Sequence, residues 1–485
     1  MLRVALAAAA AAVIVAAPAG ANSSLLFGFS DDAPKWDGAK ATDPARDIGA
    51  RAFRLNLPWT PGQTQLDAQT AADLDAAFAS ASGMRIILSA TGWASSPPLD
   101  DASRNQFCTY VRNALARYPS VNDVVIWNEP NLSFFWRPQW NPDGTSASPA
   151  AYEGLLARCW DVLHAYKPGI HVLGPATSPR GNDNPNATSN ISHSPINFIK
   201  KMADAYRASG RQQRIFDGVV QHVYGNGNKE RPYQMHLGNN IVAEGDWGKL
   251  VQTLTDAFKG TGQTVPAQPC YLSPCVYIWY LESGFQTTIP PDKAIYYTGT
   301  ENIPNPIPAD AGGEPEWPSP APDTPAPDQA TQFRYAVRLA YCQPYVAALF
   351  NFLIHDEPNL GGWQSGVLWA DWTPKPSYAA LKKVVGEVNS HTVSCVAPTA
   401  PSGLAGQVLT DPTRVSLTWT ASSSRIGVGG YKIYKNGTEV WQTSTGPGYV
   451  DPYVNAATSY SYYVRPVDAA GKVGPPSNTI FVTTP

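Results

Sequence analysis

The stretch VVIWNEPNLSFFW, from Val124 to Trp136, decides how the rest of the chain is read. Four β-prone residues, Val124, Val125, Ile126 and Trp127, run straight into Asn128, Glu129, Pro130 and Asn131. A continuous apolar run stopped by proline predicts a strand covered on both faces, as the strands of parallel sheets are. It carries a carboxyl group, with an amide just before it, to the strand's carboxyl end. The plain alternative is a strand followed by a polar turn, and the neighbouring segments decide between the two.

Outward from that strand the pattern repeats. Strands are expected at Leu25 to Ser30, Ala50 to Leu57, Arg85 to Ala90, His171 to Pro175, Phe216 to Tyr224, Val276 to Leu281 and Tyr345 to Leu353. Helical apolar spacing separates most of them: Asp67 to Ser80, Arg104 to Tyr118, Pro149 to Tyr166, Pro195 to Ser209, Trp247 to Lys259, Gln329 to Tyr341 and Ser377 to Val388. Eight strands alternating with helices predict parallel βαβ units and an α/β fold, a closed (β/α)8 TIM barrel. An open doubly wound sheet is the rival, but no glycine-rich phosphate fingerprint follows the first strand. In a barrel the chemistry sits at the carboxyl ends of the strands, where Glu129 falls after the fourth and Glu282 after the seventh. Those strands face each other across the mouth. Two carboxyl groups meeting there suit glycosidic-bond cleavage, one as general acid and one as attacking group.

The ends of the chain read differently. Arg3, the apolar run Val4 to Ala17 and the small residues Ala19-Gly20-Ala21 predict a secretory leader over 1–21, and hence an extracellular protein. A membrane anchor is disfavoured because the run is too short to span a bilayer. The chain has a formal charge of −3, and loss of Arg3 with the leader takes it to −4. That balance gives no footprint for nucleic acid and no strong pull toward a membrane. Six cysteines in an exported chain suggest three disulfides: Cys108 with Cys159, Cys270 with Cys275, and Cys342 with Cys395. None of the seven histidines lies in a ligand-spaced cluster with cysteine or another histidine, so no metal and no cofactor is expected. A proline-crowded insertion, Phe285 to Asp328, follows the seventh strand and reads as a lid or cleft wall, with Trp317 a sugar-stacking candidate. Residues 22–395 would form the barrel domain and 396–403 a linker. Residues 404–485 carry short alternating strands at Val415 to Trp419, Tyr431 to Tyr434 and Tyr460 to Val464, with an Asn436-Gly437 hairpin turn.

Two resemblances sharpen these expectations. Trp127-Asn128-Glu129-Pro130-Asn131 with Tyr280-Leu-Glu282-Ser-Gly284 resembles clan A of the glycoside hydrolases, nearest in feel to families 5 and 39. That resemblance implies Glu129 as acid/base, Glu282 as nucleophile, Arg54 steadying the nucleophile and Asn128 on the sugar 2-hydroxyl. It matches His222-Val-Tyr224 to a pair whose tyrosine bonds the nucleophile, and Trp372 to Tyr378 to the run into the last helix. It implies a retaining enzyme with a carbohydrate substrate; a transglycosylase or a catalytically silent glycan binder are the alternatives. Many clan members end the eighth strand with tryptophan, and Phe350 to Asp356 has none, which leaves Phe352, Trp363 and Trp369 as platform candidates. Trp93 and Trp136 are further candidates by their place near strand ends. The last 85 or so residues resemble a fibronectin type III domain through Trp419, Tyr460 and Asp468 to Gly471. That resemblance implies a β-sandwich acting as a spacer or facing a polysaccharide surface.

Overall fold

The computed structural model describes residues 25–266, 275–312, 327–443 and 446–485. The expected leader over 1–21, together with Cys270 and Trp317, lies outside the described residues.

Eight strands close into a barrel: β1 (Leu26–Ser30), β2 (Ala52–Trp59), β3 (Arg85–Gly92), β4 (Asp123–Ile126), β5 (His171–Leu173), β6 (Gly218–His222), β7 (Tyr277–Ser283) and β8 (Val346–Phe352). Each pairs in parallel with the next, and β1 closes on β8. Around them run α1 (Ala39–Ile48), α2 (Ala68–Ser80), α3 (Asp101–Arg117), α4 (Ser148–Tyr166), α5 (Pro195–Ala208), α6 (Trp247–Ala257), α7 (Gln329–Cys342) and α8 (Tyr378–Asn389). Only α1 was unforeseen, because Pro44 sits inside it and a proline removes one helical hydrogen bond.

Strand side chains alternate between two cores. Ala52, Ile87, Val125, Leu173, Val220 and Phe350 fill the barrel interior. Their neighbours Phe53, Leu88, Val124, Ile126 and Val172 pack outward against the helices. Arg54 shares the inward phase of Ala52, so the alternation alone aims a guanidinium at the barrel axis. Disulfides join Cys108 to Cys159, linking α3 to α4, and Cys342 to Cys395, linking α7 to the segment beyond α8. The third expected pair includes Cys270 and so falls partly outside the described residues. Among those residues no helix is long and apolar enough to cross a membrane.

Beyond the barrel, β9 (Ser402–Thr410), β10 (Thr413–Thr420), β11 (Val428–Lys435), β12 (Thr438–Thr443), β13 (Gly448–Asp451), β14 (Ser459–Asp468) and β15 (Ile480–Thr483) form two sheets. Their orders are β13-β10-β9 and β12-β11-β14-β15, all neighbours antiparallel, the strand arrangement of a fibronectin type III sandwich. Asn436 and Gly437 take φ of 51° and 80°, the two left-handed residues that a tight hairpin needs. The expected core tryptophan, Trp419, is buried against Tyr431.

The sandwich is packed onto the barrel. Ile426, Ala469 and Ala470 are buried in the same apolar cluster as the barrel helices. Gln343 Nε2, at the end of α7, donates to the Ala469 carbonyl at 3.1 Å. Gly427 and Gly429 lie against Tyr233 and Met235, so closely that a Cβ on either would stand 2.3 Å from the facing side chain.

Candidate active site

Glu129 sits three residues beyond β4, and the turn that presents it is unusual. Trp127 and Glu129 both have positive φ, 67° and 39°, a conformation that costs non-glycine residues of the order of 1 kcal/mol or more each. Tertiary bonds hold the turn in place. The Trp127 N–H donates to Ala90 O at 2.7 Å, the Glu129 N–H to Ala176 O at 2.8 Å, and Trp127 Nε1 to Phe135 O at 2.8 Å. Glu282 lies inside β7 rather than after it. Between Val220/Trp279 and His222/Glu282 the register slips by one residue, a bulge in β7. Trp279 and Leu281 already face the barrel interior, so the extra residue is what turns Glu282 inward as well.

Arg54 binds this site together. Nη1 donates to Glu282 Oε1 at 2.5 Å and to Ser30 Oγ at 2.9 Å. Nη2 donates to Asn128 Oδ1 at 2.6 Å and to Ser89 Oγ at 2.9 Å. These four bonds match both terminal nitrogens of the buried guanidinium, while Nε has no partner among the described residues. Tyr224 donates its hydroxyl to Glu282 Oε2 at 3.1 Å. His222 is fully buried, with Nδ1 2.7 Å from Glu129 Oε1 and 3.4 Å from Glu282 Oε2. Its Nε2 has no partner among the described residues, so the ring's hydrogen bonding goes through Nδ1 to Glu129.

Oxygens of Glu129 and Glu282 and a ring nitrogen of His222 all lie within 4.8 Å of one another. Such a trio could hold a metal by distance alone, a cluster that sequence spacing had not revealed. The Arg54 guanidinium already supplies positive charge to Glu282 at ion-pair distance, which disfavours a cation there. The two acids are driven apart in pKa. Burial dominates at Glu129 and raises its pKa, with the repulsion of Glu282 adding to it against the opposing His222 and Arg54. Burial pushes Glu282 up too, but the charges of His222 and Arg54 and the hydrogen bonds from Arg54 and Tyr224 outweigh it and hold the carboxyl below its ordinary value.

These groups line a cleft of about 480 Å³, walled by Asn56, Thr91, Phe134, Phe135, Arg180, Phe352 and Trp363 among others. Of the expected residues, Arg54, Asn128, Glu129, Tyr224, Glu282 and Trp363 line it, and His222 lies directly behind the acids. Trp363 packs edge-on to Phe352 at 5.3 Å and lies 5.1 Å from Tyr224, so it occupies the wall that a tryptophan on β8 would otherwise supply.

Three platform candidates are corrected. Trp136 is fully buried, packed edge-on to Trp127 at 5.2 Å and Tyr152 at 5.9 Å, and is core rather than sugar platform. Trp93 is 71% exposed and forms no part of the cleft wall. Trp369 is likewise out of reach, buried with Tyr297 and Ala309. The described part of the long insertion also departs from a lid. Thr298 exchanges backbone hydrogen bonds with Pro358 and Leu360, Gln286 accepts from the Gln364 N–H, and Tyr297 donates to Asp356. It therefore backs the loop that carries Trp363. Phe134, Phe135, Asn56, Thr91 and Arg180 were missed. Asn56 lies two residues past Arg54, and Thr91 two past Ser89, so the period of a strand could have found both; nothing in the sequence marks Arg180.

No family model matches the chain. Chitinase Chi52 of Paenibacillus xylanexedens is 38% identical over 128 residues, which is 26% of this chain and 22% of that protein. A stretch of that length cannot span the barrel, and the chain spans less than a quarter of the curated relatives it matches. Among solved structures, a monomeric beta-xylosidase from Caulobacter crescentus aligns with a TM-score of 0.45 at 15% identity, over 97% of this chain and 98% of that one. A GH5_18 protein from Streptomyces cattleya, in complex with GlcNAc, aligns with a TM-score of 0.48 at 16% identity, over 79% of this chain and 84% of that one.

Proposed function

We propose that the chain is a secreted, retaining glycoside hydrolase that cleaves O-glycosidic bonds in a β-linked glycan or glycoside by double displacement. One observation carries this reading: two buried carboxyl groups whose oxygens approach within 4.8 Å, with their pKa values moved in opposite directions. Retaining sites hold their carboxyls about 5–5.5 Å apart, whereas inverting sites need about 6.5–9.5 Å to admit a water.

Glu282, ionised and held by Arg54 and Tyr224, attacks the anomeric carbon. Glu129, protonated, gives its proton to the departing glycosidic oxygen as that bond breaks. The resulting glycosyl ester on Glu282 is opened by water, whose proton returns to Glu129 while its oxygen bonds the anomeric carbon and frees Glu282. His222 keeps Glu129 directed at the shared space between the acids. Asn128, its carbonyl oxygen tied to Arg54, keeps its amide hydrogens for the sugar's 2-hydroxyl. Trp363 and the phenylalanines offer faces against which a pyranose ring can lie. The leader expected over 1–21 supports export.

Incubation with a series of 2-fluoro glycosides, followed by peptide mapping, tests this reading. The label is expected on Glu282, and the sugar that labels fastest identifies the preferred glycone. Label on any other side chain would displace Glu282 from its role.

A further inference from the structure

Four charged residues line the cleft: Arg54, Glu129, Glu282 and Arg180. Arg54 is paired with Glu282 and Glu129 is bonded to His222, so Arg180 is the one of the four with no side-chain partner among the described residues. Arg180 is exposed at the cleft mouth, on the loop after β5. Through Nη1 it donates to the Gly225 carbonyl, and no carboxylate among the described residues lies within ion-pair distance of it. Its nearest opposite charges are Glu230 and Glu129, acting from farther away.

Glu230 is already engaged elsewhere, accepting from the Asn226 N–H and lying 3.1 Å from His236 Nε2. Burial draws the His236 pKa down, but the hydrogen bonds and charges of Asp246 and Glu230 outweigh it and push it up to about 9. His236 is thus a cation that shares both acids, and Lys249 lies 3.1 Å from Asp246 as well. Glu230 is therefore taken up by His236, which leaves the Arg180 guanidinium without an acid of its own. A guanidinium with its Nε and second Nη left over matches a planar anion through two parallel hydrogen bonds.

Position fixes which part of a substrate it meets. Arg180 follows Ala176 by four residues, and the Ala176 carbonyl is what holds the Glu129 backbone. Of the two acids of the site it is Glu129 that acts on Arg180, so Arg180 is assigned to the acid's side of the cleft, where the leaving group must lie if Glu129 protonates it. We infer that Arg180 is a specificity residue selecting substrates that carry an anionic group, a carboxylate or a sulfate ester, on the leaving-group sugar. The inference rests on the proposed role of Glu129.

Calorimetric binding to the full chain tests it without any need for turnover. The probes are sulfur-linked cellobiose and two counterparts whose reducing-end sugar carries a carboxylate or a sulfate ester at C6. The charged pair is expected to bind about tenfold or more tighter than the neutral disaccharide, as a charge-assisted hydrogen bond predicts. Arg180→Gln should erase that difference, and Arg180→Lys should restore part of it. Tighter binding of the carboxylate or of the sulfate identifies which of the two the cleft is shaped for. Equal affinity for all three, no measurable binding of the charged pair, or a preference that survives Arg180→Gln overturns the inference. A chain inert on every glycoside that still shows the Arg180-dependent preference would sink the hydrolase reading and leave this subsite standing.

Discussion

At the scale of residues, the site moves the pKa values of two chemically identical acids in opposite directions. At Glu129 burial outweighs the hydrogen bond from His222 and pushes the pKa up; Glu282 is equally buried but collects Arg54 and Tyr224. Activity should therefore follow a bell in pH. The acid limb marks protonation of Glu282 below its depressed value, and the alkaline limb marks loss of the proton that Glu129 must donate. Tyr224→Phe removes one hydrogen bond that lowers Glu282, so the acid limb should move to higher pH while the alkaline limb holds. Removing a hydrogen bond to a charged group should also lower kcat by about tenfold or more. A kcat–pH profile of the variant checks both, and an unmoved acid limb would separate Tyr224 from the nucleophile. The acids were legible in sequence because each ends a recognisable strand. Trp136 was not: whether an aromatic after a strand faces the cleft or the core is settled by its packing against Trp127 and Tyr152, partners that no local pattern encodes.

At the scale of elements, the barrel was legible because every strand is an apolar run with turn residues at its ends. What escaped were departures from regularity. Pro44 disguised α1, and the bulge that aims Glu282 leaves no mark in the residue pattern of β7. Four sandwich strands were not foreseen: β13 and β15, four residues each, carry too few alternations to register, and β9 and β12 are largely exposed rather than alternating. The loop after β8 is the element whose role changed most. It brings Trp363 against Phe352 and Tyr224, and the insertion after β7 supports it from behind. Trp363→Ala should raise KM by roughly three- to tenfold, the worth of one aromatic face, and change kcat less. Steady-state kinetics on the best aryl glycoside provides the check; an unaltered KM would remove Trp363 from the binding wall.

At the scale of the whole molecule, the sandwich is held to the barrel at several points. Cys395 is tied to Cys342, Lys472 donates to the Cys395 carbonyl, and Gln343 at the end of α7 donates to the Ala469 carbonyl. Gly427 and Gly429 meet the segment between β6 and α6, which carries Tyr224 and Gly225 at the active site and reaches Tyr233 and Met235 under the sandwich. The same segment is held from the barrel side by Gln332, whose Nε2 donates to the Asn228 and Glu230 carbonyls. A tethered spacer would leave that segment alone; a packed one constrains it. Gly429→Val, which forces Met235 aside, should lower kcat and speed amide exchange over 225–246 while the sandwich keeps its own fold. Unchanged kinetics and exchange would show that the contact does not reach the active site. Fibronectin-like strands were readable from Trp419, Tyr460 and the Asn436-Gly437 turn, but docking was not, since it depends on glycines whose value is the space they leave.

The closeness of Glu129 and Glu282 is the claim on which everything else depends, and the stereochemistry of the first product reports on it directly. Proton NMR of the anomeric signal during the first minutes of hydrolysis, before mutarotation, should show a product with the configuration of the substrate. Appearance of the opposite anomer first would mean that water attacks directly, and that two carboxyls 4.8 Å apart or less are not working as acid and nucleophile.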